Sequence, residues 1–397
     1  MSRFVQIHTL TAFPASLLNR DDAGYAKRLP FGGSPRIRIS SQCLKRHWRT
    51  SNGPHALDGL AGSVDTVRSR YAFDIKIRQP LETDGVPAEL AEAIAAKLQE
   101  LFIGMSNAKK AEKAKKGDEA AEASDDDKKI KVQTPQVVIL GQPELDYALS
   151  LAREIAARDD VTAKNVAKEI DKLNKGDLKK NLEALRLATG LNAALFGRMV
   201  TGDVLAHMDA AVHVAHAFTV HAEDAEPDYF SAVDDLAALA RDDHGSGHIN
   251  TAELTTGLFY SYVVVDVPLL KANLGGDAEL AAGVVERLVH LITTESPGAK
   301  KGSTAPYARA SMVLAELGDE QPRTLANAFF SPVAKQGDVM ANAFRALKGH
   351  LGELDAMYGA GEARKYAAID GQGLLAGLGE RGTVPEVAGW LGQAVRG

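Results

Sequence analysis

Segments typical of β-strands enclose a long helical block, and this arrangement restricts the fold more than any other feature of the sequence. "FVQIHTL" at 4–10 alternates apolar and polar side chains, and "GLFYSYVVVDV" at 257–267 is rich in β-branched and aromatic residues. Between them, residues 57–190 are rich in alanine and other strong helix formers, as in "PAELAEAIAAKLQELF". A set of strands that is interrupted by a helical segment predicts an α+β fold.

One stretch of the helical block, 107–131, has a different composition. A lysine block is followed there by an acidic block, with almost no apolar side chain besides alanine. Such a stretch cannot bury enough apolar surface to offset the entropy lost on ordering. We therefore predict a disordered loop inside the helical block.

The segment "RIRISSQCLKRHWR", 36–49, contains six side chains that are, or can become, cationic. Its first four residues alternate as in a strand, and Ser40 and Ser41 provide hydroxyls where a helix would begin. Leu44 and Trp48 are four residues apart and would share the buried face of that helix. A strand that leads into a helix with free N–H groups and a cationic flank is typical of a phosphate site, although a solvated basic helix face has the same pattern.

Positive charge is concentrated in the N-terminal part of the chain. Residues 1–50 carry nine Lys or Arg and two acids, a net charge of +7, whereas the rest of the chain carries −13. This asymmetry indicates a localised site for a polyanion on a protein that otherwise avoids nonspecific binding. The overall charge of −6 argues against a protein that coats duplex DNA unaided.

Cysteine usage and hydropathy suggest a cellular compartment. The single cysteine, Cys43, excludes an internal disulfide framework and fits a reducing cytosol. No apolar run reaches the length of a membrane span, and "MSRFVQIHTL" lacks the apolar core of a signal peptide. We therefore expect a cytoplasmic protein without a membrane partner.

Two patterns bear on metals and cofactors. Histidines cluster at 207, 213, 216 and 221, but on a strand His213 and His221 would face one side and His216 the other. No HExxH or CxxC motif accompanies them. "GLGERG" at 377–382 matches G-x-G-x-x-G but follows no convincing strand. We expect no metal and no cofactor, and we interpret the histidines as part of a sheet or an interface.

The stretch "ALFGRMVTGD" at 194–203 places Arg198 beside Met199 and between two glycines. An arginine binds phosphate well, and a methionine offers a polarisable surface to the face of a base. Spacing alone favours the alternative, a strand edge with the methionine in the core.

Lysines recur in "KNVAKEIDKLNKGDLKK", 164–180, at steps of three and four residues that place them on one helix face. They are Lys164, Lys168, Lys172, Lys175 and Lys179. Such a stripe attracts phosphates as point charges, but a solvated helix face gives the same spacing.

Several stretches in this order resemble the backbone subunit of the type I-E CRISPR surveillance complex Cascade, the CasC family. They are "LNRDD" (18–22), "FGG" (31–33), "RIRISSQCLKR" (36–46), "GRM" (197–199), "AHA" (215–217), "AVDDL" (232–236), "TESPGAK" (294–300) and "LANAF" (325–329). The most specific stretch is "SSQ-x-LKR" following "R-x-R-I", and the least similar region is the helical block.

The resemblance implies a hand-like molecule, in which a modified RRM or ferredoxin-like palm carries an inserted helical fingers domain and a thumb hairpin. Carried onto this sequence, the palm consists of 1–56, 191–225 and 255–397. The fingers insertion is 57–190, and the thumb is 226–254.

It also implies a subunit that is not an enzyme. Copies stack head to tail along a CRISPR guide RNA, together with other Cascade subunits, in antiviral defence. Each thumb displaces one base, and the remaining bases stay displayed for pairing with target DNA. A separate helicase-nuclease cleaves the target.

Individual residues acquire roles from the resemblance. The residues expected to contact guide RNA are Arg20, Lys27, Ser40, Gln42, Lys45, Arg46, Arg49, Arg198 and Met199. Arg198 and Met199 would lie on either side of the displaced nucleotide. The lysines expected to hold incoming DNA, by position and charge alone, are Lys168, Lys172, Lys175 and Lys179.

The expected thumb is acidic, since residues 222–250 contain eight acids and one base, Arg241. Because acidic side chains repel phosphates, we do not expect this segment to grip the RNA backbone. We expect it to act sterically, or to pair with the basic palm of the neighbouring copy, with Asp234 and Asp235 at that interface.

Two other functions fit parts of the sequence. A ribonuclease of the same RRM-like superfamily, which would process guide RNA or cut target RNA, needs an acid–base pair or a bound metal near the RNA. His8 and His47 are near the basic segment. A cytosolic metabolic enzyme would use the histidine cluster instead.

Overall fold

The computed structural model describes residues 2–105, 130–185, 187–199, 204–205, 207–233 and 246–397. The predicted disordered loop lies outside these residues, apart from its last two positions. The strands are β1 (Phe4–Ser16), β2 (Arg28–Phe31), β3 (Ser34–Ile39), β4 (Thr66–Ser69), β5 (Val138–Gly141), β6 (Val212–Val214), β7 (Ala217–Thr219), β8 (Ala225–Val233), β9 (Ser246–Asp266), β10 (Met312–Gly318), β11 (Ala363–Ala368) and β12 (Glu380–Arg381).

The helices confirm the α+β prediction. They are α1 (Ser41–Arg49), α2 (Gln79–Thr83), α3 (Ala88–Ile103), α4 (Gln142–Ala156), α5 (Val166–Asp171), α6 (Lys175–Ala184), α7 (Leu191–Phe196), α8 (Val267–Asn273), α9 (Ala278–Thr294), α10 (Lys301–Thr304), α11 (Val339–Tyr358) and α12 (Val384–Arg396). A π-helical turn, Asp74–Arg78, leads into α2, and short 3-10 helices occupy Leu57–Gly59 and Ala326–Phe329.

The chain forms two compact units. The sheet unit consists of the chain up to Leu57, Val212–Pro268 and Ala281–Gly397. The helical unit consists of Asp58–Ala211 and Leu269–Leu280.

The sheet unit is built on one mixed sheet in the strand order β12-β11-β10-β1-β9-β7-β3-β2, and β6 and β8 also pair with β9. β1 lies between β9 and β10 and is antiparallel to both, with Phe4 opposite Asp266 on one side and Gly318 on the other. One end of β9 pairs with β1, and its other end pairs with β8 to form an antiparallel hairpin. That hairpin spans the segment predicted as the thumb, 226–254. Residues 234–245, with Asp234 and Asp235, lie outside the described residues.

Both faces of β1 are buried, although its sequence alternates like that of a half-exposed strand. Val5 and Ile7 are fully buried on one face, and Gln6 and His8 are buried on the other. On the polar face the Tyr262 hydroxyl donates to Gln6 Oε1 at 2.6 Å. The core continues beside it with Leu10, Phe218, Tyr260, Leu314, Leu325, Phe344 and Leu347.

The helical unit has its own core. Ile94, Leu98 and Phe102 form the buried stripe of α3, which packs against α4 through Leu145 and Ala148. The spacing of four residues along α3 places these side chains on one face. The short strands β4 and β5 pair within this unit.

The segment 191–211 belongs with the helical unit, whereas the resemblance assigns 191–225 to the palm. Leu191–Phe196 is a helix, the Leu191 N–H donates to Val64 O at 3.1 Å, and the Asn192 N–H donates to Thr66 Oγ1 at 3.3 Å. Strand β6 begins only at Val212. The predicted second palm segment is thus divided between the two units at Ala211.

Candidate nucleic-acid interface

The strand-to-helix segment has the local structure that its sequence predicts. Ser40 has an extended backbone (φ −69°, ψ 149°), and its Oγ accepts the Cys43 N–H at 3.3 Å, so that it caps α1. Leu44 and Trp48 are buried on one helix face. Ser40 is buried, and its hydroxyl caps the helix. Its side chain therefore fixes the start of α1, and a direct contact with RNA stays a prediction.

A loop from 19 to 27 lies beside the start of this helix. Asn19 accepts the Ser40 N–H through Oδ1 at 2.9 Å, and its backbone carbonyl accepts the Lys27 N–H at 3.0 Å. The Lys27 carbonyl in turn accepts the Arg38 N–H at 2.7 Å. These bonds fix Lys27 next to both β3 and the N-terminus of α1.

Cations from these elements converge around Cys43 and His216. Burial raises the pKa of the Cys43 thiol, and the nearby charges of Lys27 and Arg46 oppose that rise. Burial lowers the pKa of His216, and Arg38 and Lys27 lower it further. We call Lys27, Arg38, Arg46 and His216 the cationic cluster.

The tautomer of His216 follows from its neighbour. Arg38 Nη1 lies 2.8 Å from His216 Nδ1, and because a guanidinium only donates, Nδ1 is the acceptor and carries no proton. The ring is thereby neutral and presents Nε2–H. Three permanent cations and a neutral donor then surround one patch, which suits an anion with several acceptor oxygens, such as a phosphate.

The other predicted RNA contacts on α1 and the loop differ in exposure. Arg20, Gln42 and Arg46 are exposed, whereas Lys45 and Arg49 are half-buried. The partial burial of Lys45 lowers the pKa of its ammonium group. The structure therefore brings the predicted residues of 20–49 into one region of the sheet unit.

Arg36, which contributes to the +7 charge, is a structural residue. Its side chain is fully buried, and its two Nη atoms donate to the carbonyls of Thr219 and Phe329, each at 2.9 Å. Its guanidinium also lies over the Phe31 ring, 5.8 Å from the centroid. Burial lowers the pKa of Arg36. The positive charge of this segment is thus divided between the core and the surface.

Arg198 and Met199, predicted as a pair, have opposite environments. Arg198 is buried, and its Nη1 lies 2.6 Å from Glu144 Oε2, which is also buried. Burial raises the pKa of Glu144, and the charge of Arg198 opposes the rise. Met199 is 84% exposed, so the alternative of a core methionine is wrong. A contact of Arg198 with a nucleotide stays a prediction, because here the side chain holds Glu144.

Sequence comparison decides the family. The family model described as "CT1975-like protein" matches residues 5–389, nearly the whole chain. The chain belongs to the CT1975-like family. No curated protein matches it.

Two solved structures resemble this CT1975-like chain along its whole length. A chain of a "CRISPR RNA-guided surveillance complex, pre-nicking" is 28% identical, with a TM-score of 0.80, and the match covers 99% of this chain and 100% of that one. A chain of a "CRISPR RNA-guided surveillance complex" is 24% identical, with a TM-score of 0.66 and coverage of 98% and 99%. The second match supports the fold alone, and the first extends to sequence.

The lysine stripe of the CT1975-like chain does not lie on one helix, contrary to the sequence prediction. Helix α5 ends at Asp171, and α6 begins at Lys175 behind Asn174, whose Oδ1 accepts the Gly176 N–H at 2.9 Å. The four lysines of the predicted DNA site are exposed. Lys172 Nζ lies 2.6 Å from Glu169, and Lys179 Nζ lies 3.9 Å from Glu183. Their role in binding DNA stays a prediction.

His8 is enclosed in a buried polar network. Its Nε2 lies 3.0 Å from Glu316 Oε2, and its Nδ1 lies 2.8 Å from the Tyr260 hydroxyl. Burial raises the pKa of Glu316, but hydrogen bonds from His8 and Arg323 outweigh it and hold that pKa well below its usual value. His8 is therefore out of reach of an RNA on the surface.

Two further histidines each use a ring nitrogen to bond a backbone carbonyl. His47 Nδ1 donates to the Cys43 carbonyl at 2.8 Å, and His221 Nδ1 donates to the Ala222 carbonyl at 2.7 Å. Within the described part of the chain, no three His, Cys, Asp or Glu side chains are grouped to hold a metal ion. Over the same residues, no helix is both long and apolar enough to span a membrane.

Sequence reasoning missed some residues of the site. Asn19 joins the loop to the helix cap, and Arg38 and His216 complete the cationic cluster. The alternation in "RIRI" could have identified Arg38, because it puts this side chain on the polar face of a strand that ends just before α1. His216 lies in a separate stretch of the chain, and only the pairing of β3 with β7 brings it close.

Proposed function

We propose that the protein is a guide-RNA-binding backbone subunit of a Cascade complex of type I-E. The observation that carries the proposal is the cationic cluster beside the capped start of α1. The similarity of the whole protein to a chain of an RNA-guided surveillance complex supports the same conclusion.

The chemistry of the cluster suits an RNA whose sequence must not matter. Lysine and arginine recognise phosphates, and phosphate contacts position a nucleic acid without reading its bases. A guide differs in sequence from one complex to the next, so a subunit that binds any guide has to rely on such contacts.

Copies of the subunit would bind successive segments of one guide, head to tail. The β8–β9 hairpin would serve as the thumb that displaces one base per subunit, with Met199 against the displaced nucleotide. The exposed lysines of α5 and α6 would hold target DNA that pairs with the displayed bases. Further Cascade subunits and a separate nuclease complete the system.

The subunit itself would cleave neither RNA nor DNA. His8, one of the two histidines considered for a ribonuclease, is buried, and both of its ring nitrogens are hydrogen-bonded, to Glu316 and Tyr260. His47 uses Nδ1 for a helix carbonyl.

The test is RNA affinity measured over a range of salt concentrations. Single-stranded RNAs of unrelated sequence should bind equally, and RNA incubated with and without Mg²⁺ should stay intact. Lys27→Ala/Arg46→Ala removes two phosphate contacts and should flatten the slope of log K against log salt by about 1.4. The pair Lys45→Ala/Arg49→Ala tests the half-buried cations in the same way.

A matched control removes the same charge elsewhere. Arg345→Ala/Lys348→Ala, on α11, should leave the slope within error of the wild-type value. Equal salt slopes for the cluster variant and the wild type would show that the cationic cluster does not contact RNA phosphates. Cleaved RNA would instead favour a ribonuclease.

A further inference from the structure

A buried acid lies next to the cationic cluster. Glu253, on β9 at the base of the β8–β9 hairpin, is 8% exposed. One of its carboxylate oxygens accepts the Ala26 N–H at 2.5 Å, and the other accepts Arg28 Nη2. A carboxylate close to a site for RNA phosphates weakens binding by repulsion, so its presence there needs a separate reason.

The bond to Ala26 fixes the loop that carries two of the predicted RNA contacts. Ala26 forms a bridge with Arg20 across the loop, and the next residue is Lys27. The backbone groups of Lys27 are bonded to Asn19 and Arg38. Glu253 therefore holds the backbone at the point where Arg20 and Lys27 are set against β3.

Arg28 connects the same acid to the hairpin. Its Nε donates to Glu223 Oε2 at 2.6 Å, and Nη1 donates to the Ala26 carbonyl at 3.0 Å. Glu223 precedes β8, whereas Glu253 lies on β9, so that one guanidinium joins both ends of the hairpin base. Lys335 adds a bond from Nζ to the Glu223 carbonyl at 3.2 Å.

We propose that Glu253 is a positioning residue, which places the loop 19–27 for RNA binding and, through Arg28, couples that loop to the β8–β9 hairpin. The proposal rests on the proposed function for its RNA readout. The hairpin then has a second role besides displacing a nucleotide. Because Arg28 and Glu253 connect it to the loop 19–27, the loop and the adjoining end of the hairpin become ordered together.

The direction in which a substitution of Glu253 changes the RNA affinity distinguishes a positioning role from a purely electrostatic one. Removal of a negative charge near a polyanion strengthens binding if charge alone matters. Removal of the acid that bonds Ala26, and so fixes the loop carrying Arg20 and Lys27, weakens binding if position matters. Loss of two ordered phosphate contacts lowers the affinity for single-stranded RNA about tenfold near physiological salt.

The experiment compares Glu253→Ala with Glu223→Ala in the full chain. Both variants remove one acid bonded to Arg28, but only Glu253 also holds the loop backbone. Affinity for a single-stranded RNA is measured over a salt series. Glu253→Ala should bind about tenfold more weakly, with a flatter salt slope. Glu223→Ala should bind as tightly as the wild type, or more tightly.

Two conservative variants test the contact itself. Glu253→Gln keeps an acceptor for the Ala26 N–H and should restore most of the affinity. Glu253→Asp keeps the charge but is one methylene too short to bond both Ala26 and Arg28, so it should weaken binding although charge alone predicts no change. It also serves if the alanine variant does not fold.

Hydrogen exchange of the Ala26, Lys27 and Arg38 amides gives a readout that does not depend on RNA. Faster exchange in Glu253→Ala than in Glu223→Ala supports positioning, even if the wild type binds no RNA and the proposed function fails. Unchanged exchange together with equal or tighter RNA binding by Glu253→Ala would overturn the inference.

Discussion

The basic segment offers a direct test of which cations belong to the core, through the substitution Arg36→Ala. Arg36 is fully buried, and its guanidinium is the partner of two buried backbone carbonyls, those of Thr219 and Phe329. Each buried polar group that loses its partner costs about 1–3 kcal/mol. Part of that cost is offset, because the variant no longer buries a charge. We expect a loss of about 3 kcal/mol in the free energy of unfolding.

The assay is thermal unfolding of the full chain, followed by circular dichroism. For a unit of this size, about 3 kcal/mol corresponds to a melting temperature lower by about 6–12 °C. The matched control is Arg46→Ala, which removes the same charge from an exposed position ten residues further along. It should change stability by less than about 0.5 kcal/mol.

RNA binding should separate the two residues in the opposite direction. Below its melting temperature, Arg36→Ala should keep the wild-type salt slope, whereas Arg46→Ala should flatten it by about 0.7. The reasoning is refuted if Arg36→Ala melts within 1 °C of the wild type, or if both variants lose the same stability.

Two further predictions concern buried ion pairs. Although burial opposes it, hydrogen bonds from His8 and Arg323 hold the pKa of Glu316 below its usual value. Its stabilising effect is therefore complete above the unfolded-state pKa of about 4.3 and declines as the pH falls further. Thermal melts at several pH values should show a smaller loss of melting temperature between about pH 5 and 3 for Glu316→Gln than for the wild type. Arg198→Ala leaves Glu144 buried without its partner and should cost about 3 kcal/mol, whereas Met199→Ala should change stability by less than about 0.5 kcal/mol and weaken only RNA binding. Equal losses of stability in the Arg198 and Met199 variants would contradict the buried pair.

Local patterns were sufficient where a segment's structure depends on its own residues. The capped start of α1 and its buried face followed from Ser40, Leu44 and Trp48, because capping and helical spacing act over three or four residues. The strand predicted at 257–267 was found for the same reason, as the last part of β9.

Distant contacts explain what the sequence did not reveal. Arg36 and Arg38 are two residues apart and face the same side of β3, yet only Arg36 is fully buried, because Phe329 supplies a carbonyl from almost 300 residues away. No local pattern distinguishes the two arginines. The break in the lysine stripe, by contrast, had a local signal, since Asn174 is a favourable helix cap.

The position of β1 between β9 and β10 has a consequence for how the protein is made. β10 is synthesised about 300 residues after β1, a delay of about 15–60 s at 5–20 residues per second. The helical unit, mostly one continuous stretch, can fold during that interval. For most of that interval β1 lacks β9 and β10, the two strands with which it pairs. The sheet around β1 can therefore be completed only after β10 has emerged.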